Sequence, residues 1–320
     1  MTFFRLFESR AKARTRVRNQ RIMNPYIGVL ISATDTTNQA GGTGAWDPYI
    51  AAFKSALVTN IPPAQWYEEP STRSGIGSGA GGDQAGYGTA AGNLVGYNPS
   101  PSVIVTGGTL AASECQKYTT TIPIVVASAG DLSSLTGSNF TGCTNGQANT
   151  LISDARIARM NNKLKPTAVG VAGNWDVQPV QNAMNYAYTQ LLKQLGPNKA
   201  FLVYLRNNGT DLPDLPKTLT NLQKQNGVNV LYVCSDPFVR TNGTTIVKAA
   251  KALGMKTMHE FGEWVGPGPH NHGGDLSFGP DFTKLFQRAA GYVDQILNGA
   301  SPANLPIFEP QVADCVQTPP

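Results

Sequence analysis

Ile122-Pro123-Ile124-Val125-Val126-Ala127-Ser128-Ala129-Gly130-Asp131 is an apolar run that stops abruptly at small and polar residues. A continuous apolar stretch of this length, without polar alternation, is the pattern of a parallel strand covered on both faces. The same pattern recurs upstream, where Tyr26 to Ser32 (YIGVLIS) and Val103-Ile104-Val105 read as further strands. Between those two, Trp46 to Val58 carries Trp46, Ile50, Phe53 and Leu57 at helical spacing, and a helix from about Leu110 to Tyr118 precedes Ile124. Strands alternating with helices imply right-handed β-α-β units and a parallel sheet.

A second series begins after Gly142. Helices are expected over Ile152–Lys163, Val177–Leu195, Leu215–Gln225, Thr244–Leu253 and Phe282–Leu297, and strands over Thr167–Ala172, Ala200–Leu205, Val228–Cys234 and Lys256–His259. Gly254 is suited to end the fourth of these helices. Between Ser71 and Asn98 the sequence largely lacks a strand or helix pattern. Its glycines at 75, 77, 79, 81 and 82 follow no apolar strand, which a dinucleotide fingerprint demands, so a surface loop or a contact between subunits is expected there.

The chain has 320 residues, more than a single domain usually holds, and its 41% hydrophobic content can bury a core for each of two lobes. Net charge is +5, yet the first 21 residues hold seven basic side chains against Glu8 alone, leaving the remainder near −1. Basicity therefore belongs to an N-terminal arm, free to meet an acidic partner, anionic lipid, nucleic acid or a neighbouring subunit. No aromatic residue interleaves with its basic run after Phe7, so base stacking is not indicated. No stretch reaches the roughly 18 apolar residues needed to cross a bilayer, and Phe3 to Phe7 is too short and too charged for the apolar core of a signal peptide.

Chemistry-bearing motifs are sparse. Cys115, Cys143, Cys234 and Cys315 form no C-x-x-C pair; Cys234 reads as a buried thiol, and Cys115 with Cys143 is the pair open to bridging. His270-Asn271-His272 has metal-compatible spacing, but two imidazoles fall short of the three protein ligands of a catalytic zinc, and Asp275 is the nearest acid. With three histidines and no G-x-S-x-G, neither a nucleophile nor an acid–base constellation is visible, so a non-enzyme without a cofactor is expected.

Four blocks, in order, resemble one family. Ile122 to Asp131 is similar to a strand and turn of the form IPIVFASVGD. Leu231-Tyr232-Val233-Cys234-Ser235-Asp236-Pro237-Phe238 and Phe261-Gly262-Glu263-Trp264-Val265 resemble L-x-V-x-x-D-P-x and F-R-E-F-V. Gly273-Gly274-Asp275-Leu276-Ser277-Phe278-Gly279-Pro280-Asp281, running into Phe282–Leu297 and Pro302 to Pro306, resembles GGLMSYGPD with its helix and exit. The family is that of ABC-transporter substrate-binding proteins similar to tryptophan and phenylalanine binders. The resemblance implies a type I periplasmic binding protein fold: two Rossmann-like α/β lobes with parallel sheets joined by a multi-strand hinge. On this division an arm covers residues 1–23, a first lobe 24–142 plus about 274–300, a second lobe 143–273 and a tail 301–320. It also implies a small, amino-acid-like ligand in the inter-lobe cleft, an ABC permease as partner, and a periplasmic or cell-envelope location; without a recognisable signal peptide the cytoplasm stays open. Gly262 and Phe278 stand where the family usually has Arg and Tyr.

Ligands of parallel α/β sheets bind beyond the carboxyl ends of the strands, where helix N-termini offer unpaired N–H groups. The first lobe then offers Ser32 and Thr34, the turn Thr106-Gly107-Gly108-Thr109, whose glycines let backbone approach a ligand, and Ala127, Ser128 and Asp131. The second offers Asn174, Trp175, Ser235 and Asp236. Asp236 can pair with a ligand ammonium or cap the turn before Pro237, and Trp175 can stack on an apolar group. Glu263, at the hinge or cleft edge, and Ser277 follow from the resemblance. The rival reading is the same fold recruited as a self-assembling structural subunit, a homo-oligomer joined through the basic arm and the Gly-rich loop.

Overall fold

The computed structural model describes residues 24–31, 47–70, 84–206, 209–265 and 271–319. The basic arm, the turn holding Ser32 and Thr34, the Gly-rich run 75–82 and His270 lie outside the described residues. Nothing among the described residues supports the assembly alternative, and no helix among them is long and apolar enough to cross a membrane.

The first lobe is built on β1 (Ile27–Ile31), α1 (Asp47–Ala56), β2 (Trp66–Pro70), α2 (Gln84–Val95), β3 (Val103–Thr106), α3 (Thr109–Tyr118), β4 (Ile124–Ala129) and β5 (Phe140–Thr144). Its strands form one parallel sheet in the order β2-β1-β3-β4-β5. Alternate residues of each central strand serve opposite faces. Leu30, Ile104, Ile124 and Val126 pack with Tyr87, Ala91 and Leu94 of α2 and Ala112 and Cys115 of α3. Ile27, Val29, Val105 and Val125 pack on the other side with Ile50 and Phe53 of α1. Both faces are dry, which is why these strands carry no polar alternation. Each fully buried branched side chain contributes about 1.5–3 kcal/mol.

The second lobe holds α4 (Thr150–Leu164), β6 (Val169–Gly173), α5 (Gln178–Leu195), β7 (Ala200–Tyr204), α6 (Asp211–Asn226), β8 (Val230–Val233), α7 (Pro237–Thr241), α8 (Gly243–Lys251), β9 (Lys256–His259) and β10 (Leu276–Pro280). After α9 (Phe282–Leu297) comes β11 (Cys315–Thr318). The sheet order is β11-β10-β9-β8-β6-β7, parallel except that β11 runs antiparallel to β10. Val169, Val171, Val230 and Tyr232 pack with Ile152, Met160, Val180, Met184 and Leu191 of α4 and α5. Ala172, Leu231 and Val233 pack with Leu215, Leu219, Ile246 and Val247 of α6 and α8.

The chain passes between lobes three times. It leaves β5 for α4, returns from β10 to α9, whose Phe282, Phe286, Ala289, Ala290 and Val293 join the core holding Phe53 and Val125, and leaves again before β11. The crossings converge at Gly146 (φ +72°): a Cβ there would lie 2.7 Å from Ile152 Cδ1, 3.2 Å from Pro310 Cγ and 3.3 Å from Pro280 Cγ. Asn149 Nδ2 also donates to Pro310 O at 3.1 Å.

Three expectations are corrected. Residues 274–300 do not return to the first lobe together, because β10 is hydrogen bonded beside β9 and the crossing falls at Asp281. The presumed tail is structured: Phe308 bridges to Cys143, and β11 pairs with β10. The segment from Ser71 to Asn98 does hold a helix, α2, and a strand, β2, ends just before it. A helix was illegible there because Gly86, Gly88 and Gly92 break its pattern of helix formers. A Cβ at Gly92 would stand 3.2 Å from the Tyr118 ring and one at Gly88 3.4 Å from Glu114 Oε2, so small residues let α2 lie close on α3 at the expense of helix propensity. Cys115 and Cys143 are separate buried thiols in different core clusters, on opposite faces of the first sheet.

Candidate functional site

The carboxyl ends of β3 and β4 form one connected rim. Thr109 Oγ1 donates to Asp131 O at 2.7 Å and accepts from Asp131 N at 3.4 Å, tying the two turns together. Gly107 N donates to Leu30 O, and Gly108 begins α3 as an extended N-cap with no side-chain capping bond. First-turn N–H groups without a cap suit an acceptor. Ala127 and Ser128 are buried. Thr106 is wholly buried, and its Oγ1 has no hydrogen-bond partner among the described residues. The Asp131 carboxylate turns onto Ser133, accepting from its N–H at 2.8 Å and its hydroxyl at 2.7 Å.

The second lobe repeats the device with different chemistry. Asn174, after β6, donates through Nδ2 to Asp236 Oδ2 at 2.6 Å, joining the exits of β6 and β8. Asp236 Oδ1 accepts from Val239 N at 2.6 Å and caps α7. Burial pushes the Asp236 carboxyl up to about 6, against the Val239 and Asn174 hydrogen bonds that favour its charge. Trp175 packs on Tyr204 at 4.6 Å between ring centroids, with 42% of Tyr204 exposed, so this aromatic pair reaches solvent.

Two expected residues do other work. Glu263 accepts from Arg240 Nη2 at 2.8 Å and from Tyr49 OH at 2.7 Å, so it links α7 of the second lobe to α1 of the first. Burial and the neighbouring Glu263 carboxylate raise the Tyr49 hydroxyl far above its ordinary range. Ser277 lies within β10, fully buried, donating to Thr318 O at 3.3 Å; it belongs to the sheet and not to a strand exit. Asn271 and His272 are likewise engaged, with Gly273 N and Thr244 Oγ1, and no group of three metal-ligating side chains occurs among the described residues.

Beneath the β8 exit runs a buried polar network that the sequence reading missed. Arg156 of α4 and Glu260, after β9, form an ion pair at 3.2 Å, the two side chains 0% and 1% exposed. Arg156 also donates to Phe278 O and Tyr232 OH, while Glu260 Oε2 accepts from Ser235 N at 2.8 Å and Gln147 Nε2 at 3.1 Å. Burial raises the Glu260 carboxyl, with Arg156 opposing. The available signal was a lone charged residue among Ile152, Ser153, Ile157 and Met160 on the buried face of a helix.

The rims of the two lobes meet. A Cβ on Gly130, at the β4 exit, would lie 3.9 Å from the Cβ of Pro179 in the first turn of α5. Gln147, on the first crossing, donates to Ser235 O at 2.8 Å. Two surface hollows, of about 720 Å³ beside Lys54 and Trp66 and about 520 Å³ along β7, include none of the candidate residues.

Two mostly parallel sheets whose carboxyl edges meet at Gly130 and Pro179, joined by three crossings, have the architecture of the type I periplasmic binding protein fold. No known family profile and no curated protein sequence matches the chain. Solved structures do. A conserved domain protein from Vibrio cholerae shares 17% identity over 90% of each chain, with a TM-score of 0.66. An ABC domain from Streptococcus pneumonia in complex with L-Trp shares 15% over 91% of each chain, TM-score 0.65. An ABC transporter solute binding protein from Agrobacterium vitis with bound allitol shares 14% over 92% of this chain and 94% of that one, TM-score 0.54. At these identities the likeness is one of fold alone, which solute-binding proteins share with a neighbour of another role, the Lac repressor bound to ONPG.

Proposed function

We propose that the protein is the solute-binding component of an ABC importer, closing its two lobes over one small solute and presenting the closed form to a permease outside the cytoplasm. The observation that supports this reading is the meeting of the β4 exit with the first turn of α5; on it, Thr106, Ser128, Asn174, Trp175 and Asp236, which lie at or beside the strand exits of the two lobes, would face the solute. These groups offer a buried hydroxyl, an uncapped helix start, an amide, a carboxyl and an aromatic face. That set suits a small polar solute with one apolar or ring-shaped side, and the L-Trp and allitol held by two structural neighbours bracket the amino acids and polyols to be tried.

A solute that bridges both lobes favours the shut state by its differential affinity alone. The test is a melting-temperature screen of the purified protein against amino acids, sugars and polyols. At a concentration one hundred times its Kd, a cognate solute adds about 2.7 kcal/mol, equivalent to a rise of about 5 °C for a chain of this size. A broad panel in which no solute raises the transition sinks the reading.

A further inference from the structure

Gln147 occupies the first crossing between lobes, and its side-chain amide lies between the two carboxyl edges. On one side Nε2 donates to Ser235 O at 2.8 Å and to Glu260 Oε2 at 3.1 Å. On the other, Oε1 faces Gly130 so closely that a methyl built there would stand 2.8 Å away. The side chain is 6% exposed. Its backbone is held too, since Gln147 N donates to Asn145 Oδ1 and Asn145 N to Ala129 O. One amide is thus gripped by the β8 exit and pressed against the β4 exit, with no side chain at position 130 between them.

We propose that Gln147 is the positioning residue that sets how closely the two lobes approach at the solute site, and that the bare Cα of Gly130 permits that approach. The inference deepens the solute-trap reading and takes its purpose, though not its geometry, from it. A Cβ 2.8 Å from an oxygen forces something to move. The amide cannot swing aside without abandoning Ser235 O and Glu260, leaving a buried carbonyl and a buried carboxylate short of a donor. Gly130 itself is not among the glycines with positive φ, so its backbone accepts alanine without strain. The element that yields is the separation of the lobes.

The test measures that separation directly, without added solute. Spin labels are placed at Val58→Cys and Lys224→Cys, exposed positions on the first and second lobes, in a Cys315→Ser background, the other three cysteines being buried. Gly130→Ala is expected to shift the main distance to longer values with the circular dichroism spectrum unchanged. In a Gln147→Ala background, or Gln147→Ser should the alanine variant not fold, the same Gly130→Ala change is expected to add no lengthening, because the oxygen it meets is gone. An unchanged distance in Gly130→Ala overturns the proposal. So does equal lengthening in both backgrounds, which would show that the Gln147 oxygen is not what the new methyl displaces, and so does an unfolded Gly130→Ala chain. Since no solute is present, a failed solute screen would strike the importer reading and leave this result standing.

Discussion

Replacing Arg156 by methionine keeps an unbranched side chain of similar reach in α4 but strips Glu260 of its only cationic partner among the described residues. Glu260 would retain Ser235 N and Gln147 Nε2, two neutral donors, around a carboxylate that is 1% exposed. Breaking one side of a wholly buried pair costs about 3–5 kcal/mol, mostly the penalty of the charge left behind. Phe278 O and Tyr232 OH lose a donor as well. We expect Arg156→Met to lose about 4 kcal/mol at pH 7, a large part of the 5–15 kcal/mol that holds a typical protein folded. The pH dependence has a definite sign. Burial already holds the Glu260 carboxyl above its ordinary range with Arg156 opposing, and removing Arg156 drives it higher. The folded variant then binds the proton more tightly than the unfolded chain, so its deficit is greatest above the folded pKa and shrinks as pH falls toward the unfolded value. Urea denaturation followed by circular dichroism at pH 7 and pH 5, with Arg156→Met/Glu260→Gln as the neutral control, reads both effects. A loss below about 1 kcal/mol, a deficit equal at both pH values, or a double variant no better than the single would refute the reasoning.

Two further outcomes are expected. The His259 ring is 1% exposed, stacked on Trp264 at 4.5 Å with no hydrogen-bond partner among the described residues, and burial pushes it down to about 3. Its folded pKa lies below the unfolded one, so its stability is fully present above about pH 6.5 and lost as pH falls toward 3, at about 1.4 kcal/mol per unit. His259→Phe should therefore lose about 2 kcal/mol less than the wild type between pH 6.5 and 5 in urea titrations, and parallel pH profiles would contradict it. Gly146→Ala places a Cβ at φ +72° against Ile152, Pro280 and Pro310, and should lower the urea midpoint by the equivalent of about 2 kcal/mol; a midpoint matching the wild type would show that the crossings have slack.

The fold was legible where burial on both faces forces the residue type. Ile124–Ala129 and Phe282–Leu297 announce a parallel strand and an amphipathic helix without help from neighbours. What stayed hidden was specified by close approach. In β5, Gly142 (φ +147°) leaves no room for a Cβ, which would come 2.1 Å from Val126 O; the resulting FTGCT does not look like a strand. In α2, glycines serve the α3 contact instead of the helix itself. Residues that follow a strand could be named from sequence, and Asn174 with Asp236 are hydrogen bonded after β6 and β8. Residues that act by meeting across the fold could not. Arg156, Gln147 and Glu260 stand 104 and 113 positions from their partners in the Arg156–Glu260 and Gln147–Glu260 contacts, and no local pattern pairs them. Glu263 was placed at the hinge or cleft edge, but its partners Arg240 and Tyr49 come from a helix in each lobe.

The route of the chain through three crossings also governs the order in which the protein can be made. One face of the amino-terminal sheet depends on α9 for Phe282, Phe286 and Val293, residues that leave the ribosome after every parallel strand of the carboxy-terminal sheet. The half of the molecule synthesised first is thus completed only once α9 has emerged, and until then it offers nascent-chain binders an uncovered stripe of valine and isoleucine.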